Sequence, residues 1–450
     1  MDFNHKKVLV CGIARSGVAA AKLLKDLGAE VTLQDLKIRD KIEINLDEME
    51  KSGFEIYVGK NPDDIIDDFD LAVISPGISV YLPFVEKALK LGIPVWGEIE
   101  LAYSLCPCPV IAVTGTNGKT TTTSLIGDIV KRYNPKVEVV GNIGVPFAAK
   151  LKNLGKDSCV VAEISSFQLE TIHAFKPKVS AILNITPDHI DRHKSMENYI
   201  AAKESIGKNQ QPDDYMVLNY DDAYCRRIKT NARRVFFSRL EQLEEGFFLD
   251  GNIIRARFDG EDRNVLNIDD MQIFGNHSIE NTLAAVAAAA CMKIPYDVIK
   301  EAAESFKAVE HRIEFVRELH GIRFYNDSKA TNTDAAIKAI EAMRQPIVLI
   351  GGGYDKQSDF GGWVKAFQGK VKHVIVLGEV AEKIMETCLA YNYTQVERVN
   401  TLKDAVDLAY GKASPGDCVL LSPACASWDM FENFEQRGML FKKFVNDLEE

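Results

Sequence analysis

No C-x-x-C pair occurs in this chain. Its nine cysteines (Cys11, Cys106, Cys108, Cys159, Cys225, Cys291, Cys388, Cys418 and Cys425) are scattered and odd in number. That excludes a zinc ribbon, speaks against a disulfide framework, and favours a reducing compartment. No apolar run approaches about 18 residues, and the first residues run straight into a strand and a turn, so neither an export signal nor a membrane span is expected. Basic charge is also short, with 54 Lys and Arg against 65 Asp and Glu for a net charge of -11. A long nucleic acid or an acidic membrane needs concentrated basic surface, so both are excluded as partners, while a single phosphorylated ligand stays compatible. A soluble cytoplasmic monomer is expected.

Apolar residues, by contrast, make up 46% of 450 positions. That is material for two to four domain cores, and three are expected.

The most informative stretch is Ile111-Ala-Val-Thr-Gly-Thr-Asn-Gly-Lys-Thr-Thr-Thr-Thr-Ser124. Ile111 to Val113 suits a buried parallel strand, Gly115 and Gly118 let the backbone curl, and a helix starts at once afterwards. Inward N–H groups, a helix N-terminus, the Lys119 charge and a Thr hydroxyl for magnesium together suit a nucleotide phosphate. The general phosphate loop has a glycine five residues before Gly-Lys, where this chain has Val113, and a bland strand-turn-helix junction is the alternative.

Ahead of it, strand Lys7 to Cys11, the loop Gly12-Ile-Ala-Arg-Ser-Gly17 and a helix to about Leu27 form a dinucleotide-fold opening, although the full G-x-G-x-x-G is missing. Asp35 ends the next strand, where acidic groups often meet a ribose. Further strands are expected at Glu55 to Val58, Leu71 to Ser75 and Pro94 to Trp96, with Ser75-Pro-Gly77 as a strand-end loop or a mere turn.

After the phosphate loop, strands end in Asn142, in Glu163 with Ser165 and Ser166, and in Asn184 followed by Pro187-Asp-His-Ile-Asp-Arg-His193. Glu163 closes an apolar strand, so a metal role outweighs a solvated edge carboxylate. His189 could join it. Lys203 reads by helical spacing as a solvated surface lysine. Residues 213 to 273 look like a small extra sheet with a hairpin at Leu249-Asp-Gly-Asn252, and Asn281 either faces a base or caps an alanine-rich helix. A last α/β set carries Asp327, Lys329, Asp355, Lys356 and Ser422-Pro-Ala-Cys-Ala-Ser-Trp-Asp429 just beyond its strands.

Thr114 to Thr120, Glu163, Asn184 to His193, Lys203, His277 to Asn281, His311-Arg312, Asn326 to Asn332, and Ser422 to Asp429 together resemble the Mur ligase family, over essentially the whole chain. The closing Asn433-Phe-Glu-Gln-Arg-Gly438 looks like the branch that adds D-glutamate. The resemblance implies three α/β domains: 1–106 Rossmann-like and UDP-substrate-binding, 107–312 a P-loop ATPase-type domain with the extra β-sheet, 313–450 Rossmann-like and amino-acid-binding. It implies ATP-dependent joining of D-glutamate to UDP-N-acetylmuramoyl-L-alanine through an acyl phosphate. By the same resemblance Gly115, Thr116, Asn117, Gly118, Lys119, Thr120 and Thr121 would cradle ATP, with Asn281, Arg312 and Asp327 on adenine, phosphate and ribose. Thr120, Glu163, His189 and Lys203 would hold two magnesium ions, with manganese as a substitute and Lys203 carbamylated by carbon dioxide. Lys119 and Lys329 would approach the reacting phosphoryl group. Gly12, Ala14, Arg15, Ser16, Asp35, Leu36, Lys37, Ser75, Pro76, Gly77, Asn142 and His189 would meet the UDP substrate, and Thr331, Lys356, Ser427 and Phe434 would receive D-glutamate.

One departure is Ser278, where the family has Asn after His277, so a hydrogen bond is lost or supplied by Asn276. The rivals are a ligase of the same family adding another amino acid or acting on folate, and a nucleotide-dependent switch. A diaminopimelate-adding enzyme would carry Asp-Asn-Pro-Arg, which is absent.

Overall fold

The computed structural model describes residues 2–307, 309–354 and 358–449. Three α/β sheets are present, as expected, and the chain divides into two compact units, Met1–Asp270 with Glu280–Glu304 and Met271–Ile279 with Ser305–Glu450.

In the first unit, β1 (Lys7–Cys11), β2 (Glu30–Asp35), β3 (Glu55–Val58), β4 (Leu71–Ile74) and β5 (Val95–Gly97) form a parallel sheet in the order β3-β2-β1-β4-β5. The order reverses beside β1, and the crevice beyond the carboxyl ends of β1 and β4 is where such sheets take ligands. The Gly12 to Gly17 loop and the Ser75 to Gly77 loop leave from those two ends.

The same unit holds a second sheet. Its strands are β6 (Val110–Thr114), β7 (Val137–Gly141), β8 (Cys159–Glu163), β9 (Val179–Ile182), β10 (Tyr215–Asn219), β11 (Arg233–Ser238), β12 (Gly246–Asp250), β13 (Ile253–Phe258) and β14 (Glu261–Asn267). The order is β14-β13-β12-β11-β10-β9-β6-β8-β7. Every residue of β6, β8 and β9 is buried, which explains their near-continuous apolar runs: a central parallel strand has helices on both faces. The extra β-sheet expected over 213–273 is joined to this one. β10 to β12 continue it in parallel and β13 and β14 add antiparallel strands, turning at Gly251, whose φ is 59°. Local turn signals reveal the hairpin but not the edge it pairs with.

The first sheet is fastened to the second within this unit. Helix Glu98–Ser104 leaves β5 and buries two acids. Glu98 Oε1 accepts the Ala148 N–H at 2.5 Å, and Glu100 accepts those of His173, Ala174 and Phe175 at 2.9, 2.6 and 3.0 Å.

The second unit has β15 (Glu314–Leu319), β16 (Ile322–Asn326), β17 (Ile347–Gly352), β18 (Val371–Leu377), β19 (Val396–Arg398) and β20 (Cys418–Leu421), in the order β15-β16-β20-β17-β18-β19, with only β15 antiparallel. The neighbouring ends of β16, β20 and β17 bring Asp327 to Thr331, Ser422 to Asp429 and Gly353-Tyr354 to one edge. Among the described residues, no helix is long and apolar enough to cross a membrane.

Candidate active site

The phosphate loop springs from the buried end of β6. Gly118 has φ of 84° and a Cβ there would fall 2.2 Å from Asn281 Oδ1, so glycine alone permits the turn and the close approach of Asn281. Asn117 N–H donates to Asn184 Oδ1 at 2.8 Å, Asn184 Nδ2 returns to Asn117 O at 3.1 Å, and Thr116 N–H donates to Asn184 O at 3.0 Å. The loop is thereby held from the end of β9. Lys119 Nζ folds over it, donating to Gly115 O and Thr116 O at 2.8 Å each, and Thr120 and Thr121 are buried in the first turn of helix Lys119–Tyr133. Loop, helix dipole and ammonium make an anion cradle.

Glu163 ends β8, beside β6, and is 1% exposed. Its Oε1 accepts from Asn142 Nδ2 at 2.8 Å, while Oε2 is buried with no hydrogen-bond partner among the described residues. A carboxylate oxygen buried without a donor asks for a cation. Together with the Thr120 hydroxyl it offers hard oxygen donors, a set that fits magnesium or manganese.

Lys203 is 1% exposed, against the reading from spacing alone. Helix Met196–Glu204 buries Tyr199 and Lys203, one turn apart, and that i, i+4 pair was the available signal. Lys203 Nζ donates to Gly115 O at 2.8 Å and lies 4.6 Å from the Tyr199 ring, whose hydroxyl meets Thr116 Oγ1 at 3.0 Å. Burial, and then the Lys119 charge, pull its pKa well below the usual lysine range against the attraction of Asp188. Burial there works against the ammonium and in favour of the neutral amine.

His189 adopts φ of 54° and packs edge-on against Phe167 at 4.8 Å, with Asp188 Oδ2 at 3.6 Å from its Nε2. Asp188 therefore acts on both His189 and Lys203. Arg192, three residues on, donates to Gly77 O at 3.3 Å and Ile78 O at 2.7 Å, pairs with Glu170 at 2.7 Å, and stacks 4.8 Å from the Phe167 ring. His193 is buried between Glu170 and Ser166, and desolvation holds its pKa below the usual value.

In the first sheet, both Asp35 carboxylate oxygens accept backbone N–H groups, from Ile13 at 3.0 Å and Lys37 at 2.9 Å. Asp35 thus braces the loop of Gly12, Ala14, Arg15 and Ser16. Ser75 Oγ donates to Gly12 O at 3.0 Å, which ties the loop containing Pro76 and Gly77 to it. A cavity of about 180 Å³ opens there, lined by Gly12, Asp35, Leu36 and Ile78 among others, and Leu36 is 64% exposed.

In the second unit, Asp327 is buried, accepting from Ser422 Oγ at 2.8 Å and Ile313 N–H at 3.2 Å. Burial outweighs these bonds and the Arg312 charge and pushes its pKa up to about 7. Lys329 Nζ lies 5.2 Å from the Phe434 ring, Ser427 is buried, and Thr331 N–H donates to Lys329 O at 2.9 Å. Lys356 and Asp355 lie outside the described residues. Ser278 Oγ sits 3.3 Å from His277 Nε2, and Asn276 is exposed. Glu310, His311 and Glu314 also converge, but Lys442 Nζ bonds both acids at 2.7 and 2.8 Å and closes that cluster as an ion-pair network.

Three family models match the chain: the Mur ligase MurD-like N-terminal domain over residues 6–97, the Mur ligase middle domain over 113–289, and the Mur ligase glutamate ligase domain over 311–425. The chain is 48% identical to a UDP-N-acetylmuramoylalanine--D-glutamate ligase of Thermoanaerobacter sp. (strain X514), covering 100% of both. A relative of the same name from Lachnoclostridium phytofermentans is 46% identical, again over 100% of both. The chain belongs to the Mur ligase family.

The fold agrees with solved Mur ligases. UDP-N-acetylmuramate-alanine ligase MurC from Thermotoga maritima superimposes with a TM-score of 0.63 at 20% identity, covering 98% of this chain and 99% of that one. MurF from Acinetobacter baumannii gives 0.62 at 15%, covering 99% and 92%. Within this Mur ligase, Asp188, Arg192 and the buried acids Glu98 and Glu100 were missed as structural determinants of the site. Asp188 and Arg192 lay inside the quoted motif. Glu98 and Glu100 bond backbone N–H groups some fifty and seventy residues away and leave no local signature.

Proposed function

We propose that this Mur ligase joins D-glutamate to UDP-N-acetylmuramoyl-L-alanine, using ATP and releasing ADP and phosphate, as a cytoplasmic step of peptidoglycan precursor synthesis and as a monomer. The observation that carries the substrates is the 48% identity across the whole of a relative with that printed name, joined to the MurD-like N-terminal match. The domains would run 1–106, 107–312 and 313–450.

A carboxylate resists amines because oxide is a poor leaving group. Transfer of the γ-phosphoryl group to the terminal carboxylate makes an acyl phosphate, the D-glutamate amine attacks its carbonyl carbon, and phosphate departs with the bonding pair. The protein's part is positioning and charge neutralisation. The residues from Gly115 to Thr121 cradle the phosphates, and Lys119 moves from its loop carbonyls to the transferring group. Asn281 at Gly118 meets adenine, with Arg312 on phosphate and Asp327 on ribose, and Lys329 adds a second cation. Glu163 and Thr120 hold one magnesium and His189 with Lys203 a second; the ions neutralise phosphate charge when bound.

Lys203 suits that role as a carbamate. Burial favours its neutral amine, whose lone pair attacks carbon dioxide, forming an N–C bond and releasing a proton, and an anionic oxygen ligand replaces a cation. Gly12, Ala14, Arg15, Ser16, Leu36, Lys37 and the Ser75 to Gly77 loop receive the uridine diphosphate, with Asp35 bracing them and Asn142 and His189 nearer the muramoyl end. Thr331, Lys356, Ser427 and Phe434 receive D-glutamate.

Phosphate release from ATP, magnesium and UDP-N-acetylmuramoyl-L-alanine, assayed with single amino acids in turn, tests the substrate. Stimulation by D-glutamate alone is expected; stimulation by another amino acid, or ATP turnover that needs neither substrate, would support the rivals.

A further inference from the structure

Arg437 is 2% exposed, on the first turn of helix Phe434–Asn446. Its Nε donates to Ser328 Oγ at 3.0 Å, Nη2 to Ser328 O at 2.8 Å and Cys425 O at 3.1 Å, and Nη1 to Ala426 O at 3.3 Å. All four acceptors are neutral, and Arg437 makes no ion pair among the described residues. Ser328 Oγ passes the connection on by donating to Phe434 O at 2.8 Å, and Ala426 O also accepts the Tyr354 N–H at 3.0 Å. One guanidinium therefore ties the loops after β16, β20 and β17 to the start of the last helix. The residues adjoining these anchors are Lys329, Ser427 and Phe434.

A planar fork of five donors reaches acceptors that diverge in this way; the compact ammonium of lysine does not. Burial lowers the Arg437 pKa to about 10, so the group is still a cation at neutral pH, solvated by carbonyls and lodged beneath loops proposed to hold a dicarboxylate.

We propose that Arg437 is the positioning residue of the amino-acid subsite: it holds Lys329, Ser427 and Phe434 in register and so sets the affinity for an anionic amino acid, which is D-glutamate on the reading above, on which this inference rests. Steady-state kinetics of wild type, Arg437→Lys and Ser328→Ala, with each substrate varied in turn, test it. Arg437→Lys should raise the KM for D-glutamate by about 10-fold or more, the loss of one or two charge-assisted hydrogen bonds. The KM for UDP-N-acetylmuramoyl-L-alanine should stay unchanged. Loss of folded protein lowers kcat and leaves each KM in place, so the split distinguishes positioning from stability. Should Arg437→Lys not fold, Ser328→Ala removes only the hydroxyl that links Arg437 to Phe434 and should raise the same KM. An unchanged D-glutamate KM in a folded variant overturns this inference alone. A wild type with no D-glutamate-dependent phosphate release overturns the functional reading with it.

Discussion

Lys203 Nζ donates to Gly115 O at 2.8 Å, which places a buried lysine, its pKa drawn well below the usual lysine range by burial, against the first glycine of the phosphate loop. A buried ammonium there would be costly, which is the ground for the carbamate proposed above. Lys203→Ala should reduce turnover at least about 100-fold, and short carboxylic acids should restore part of it by supplying the missing anionic oxygens. Turnover of Lys203→Ala equal to wild type removes the carbamate.

Glu163 Oε2 has no hydrogen-bond partner among the described residues and so is open to a cation. Glu163→Gln keeps the shape and an acceptor for Asn142 but removes the charge. The magnesium concentration for half-maximal phosphate release should rise about 10- to 100-fold. An unchanged magnesium titration contradicts the assignment.

Lys119 Nζ donates to Gly115 O and Thr116 O, both carbonyls of its own loop, and to no carboxylate in those two bonds. Lys119→Ala should therefore leave the thermal unfolding midpoint near wild type while turnover falls about 1000-fold. Retained turnover would falsify its role in phosphoryl transfer.

Glu98 is fully enclosed, and burial outweighs the Ala148 and Phe147 N–H donors to push its pKa from 4.5 up to about 7. The folded state then holds a proton that the unfolded chain releases above about pH 4.5. The stability this contributes is complete below about pH 4.5 and is lost as pH rises through about 7, at no more than about 1.4 kcal/mol per pH unit. In denaturant melts, the difference between wild type and Glu98→Gln should shift against wild type across that window. A difference independent of pH contradicts a titrating Glu98.

The strands and their polar ends were legible because a parallel strand covered on both faces must be apolar until it emerges at the ligand edge, as Val110–Thr114 and Cys159–Glu163 are. Val113, which broke the general phosphate-loop pattern, is a wholly buried strand residue, so the pattern here begins one residue later. Lys203 was misread by periodicity because the buried face of its helix carries only Tyr199 and Lys203, so a lysine occupies the place where an apolar residue is expected. Glu98, Glu100 and Arg437 bond backbone groups of remote loops, a relation fixed by tertiary packing and absent from any local pattern. The joined edge of the central sheet escaped for the same reason: strand pairing at β11 and β12 links segments whose own residues signal only a hairpin.

In the proposed reaction ATP energises a carboxylate for attack by D-glutamate. Mass analysis of the uridine product, with phosphate counted in the same reaction of ATP, magnesium, UDP-N-acetylmuramoyl-L-alanine and D-glutamate, measures it directly. One D-glutamate joined by an amide for each phosphate released is the expected result; phosphate released without a new amide, or no release at all, contradicts it.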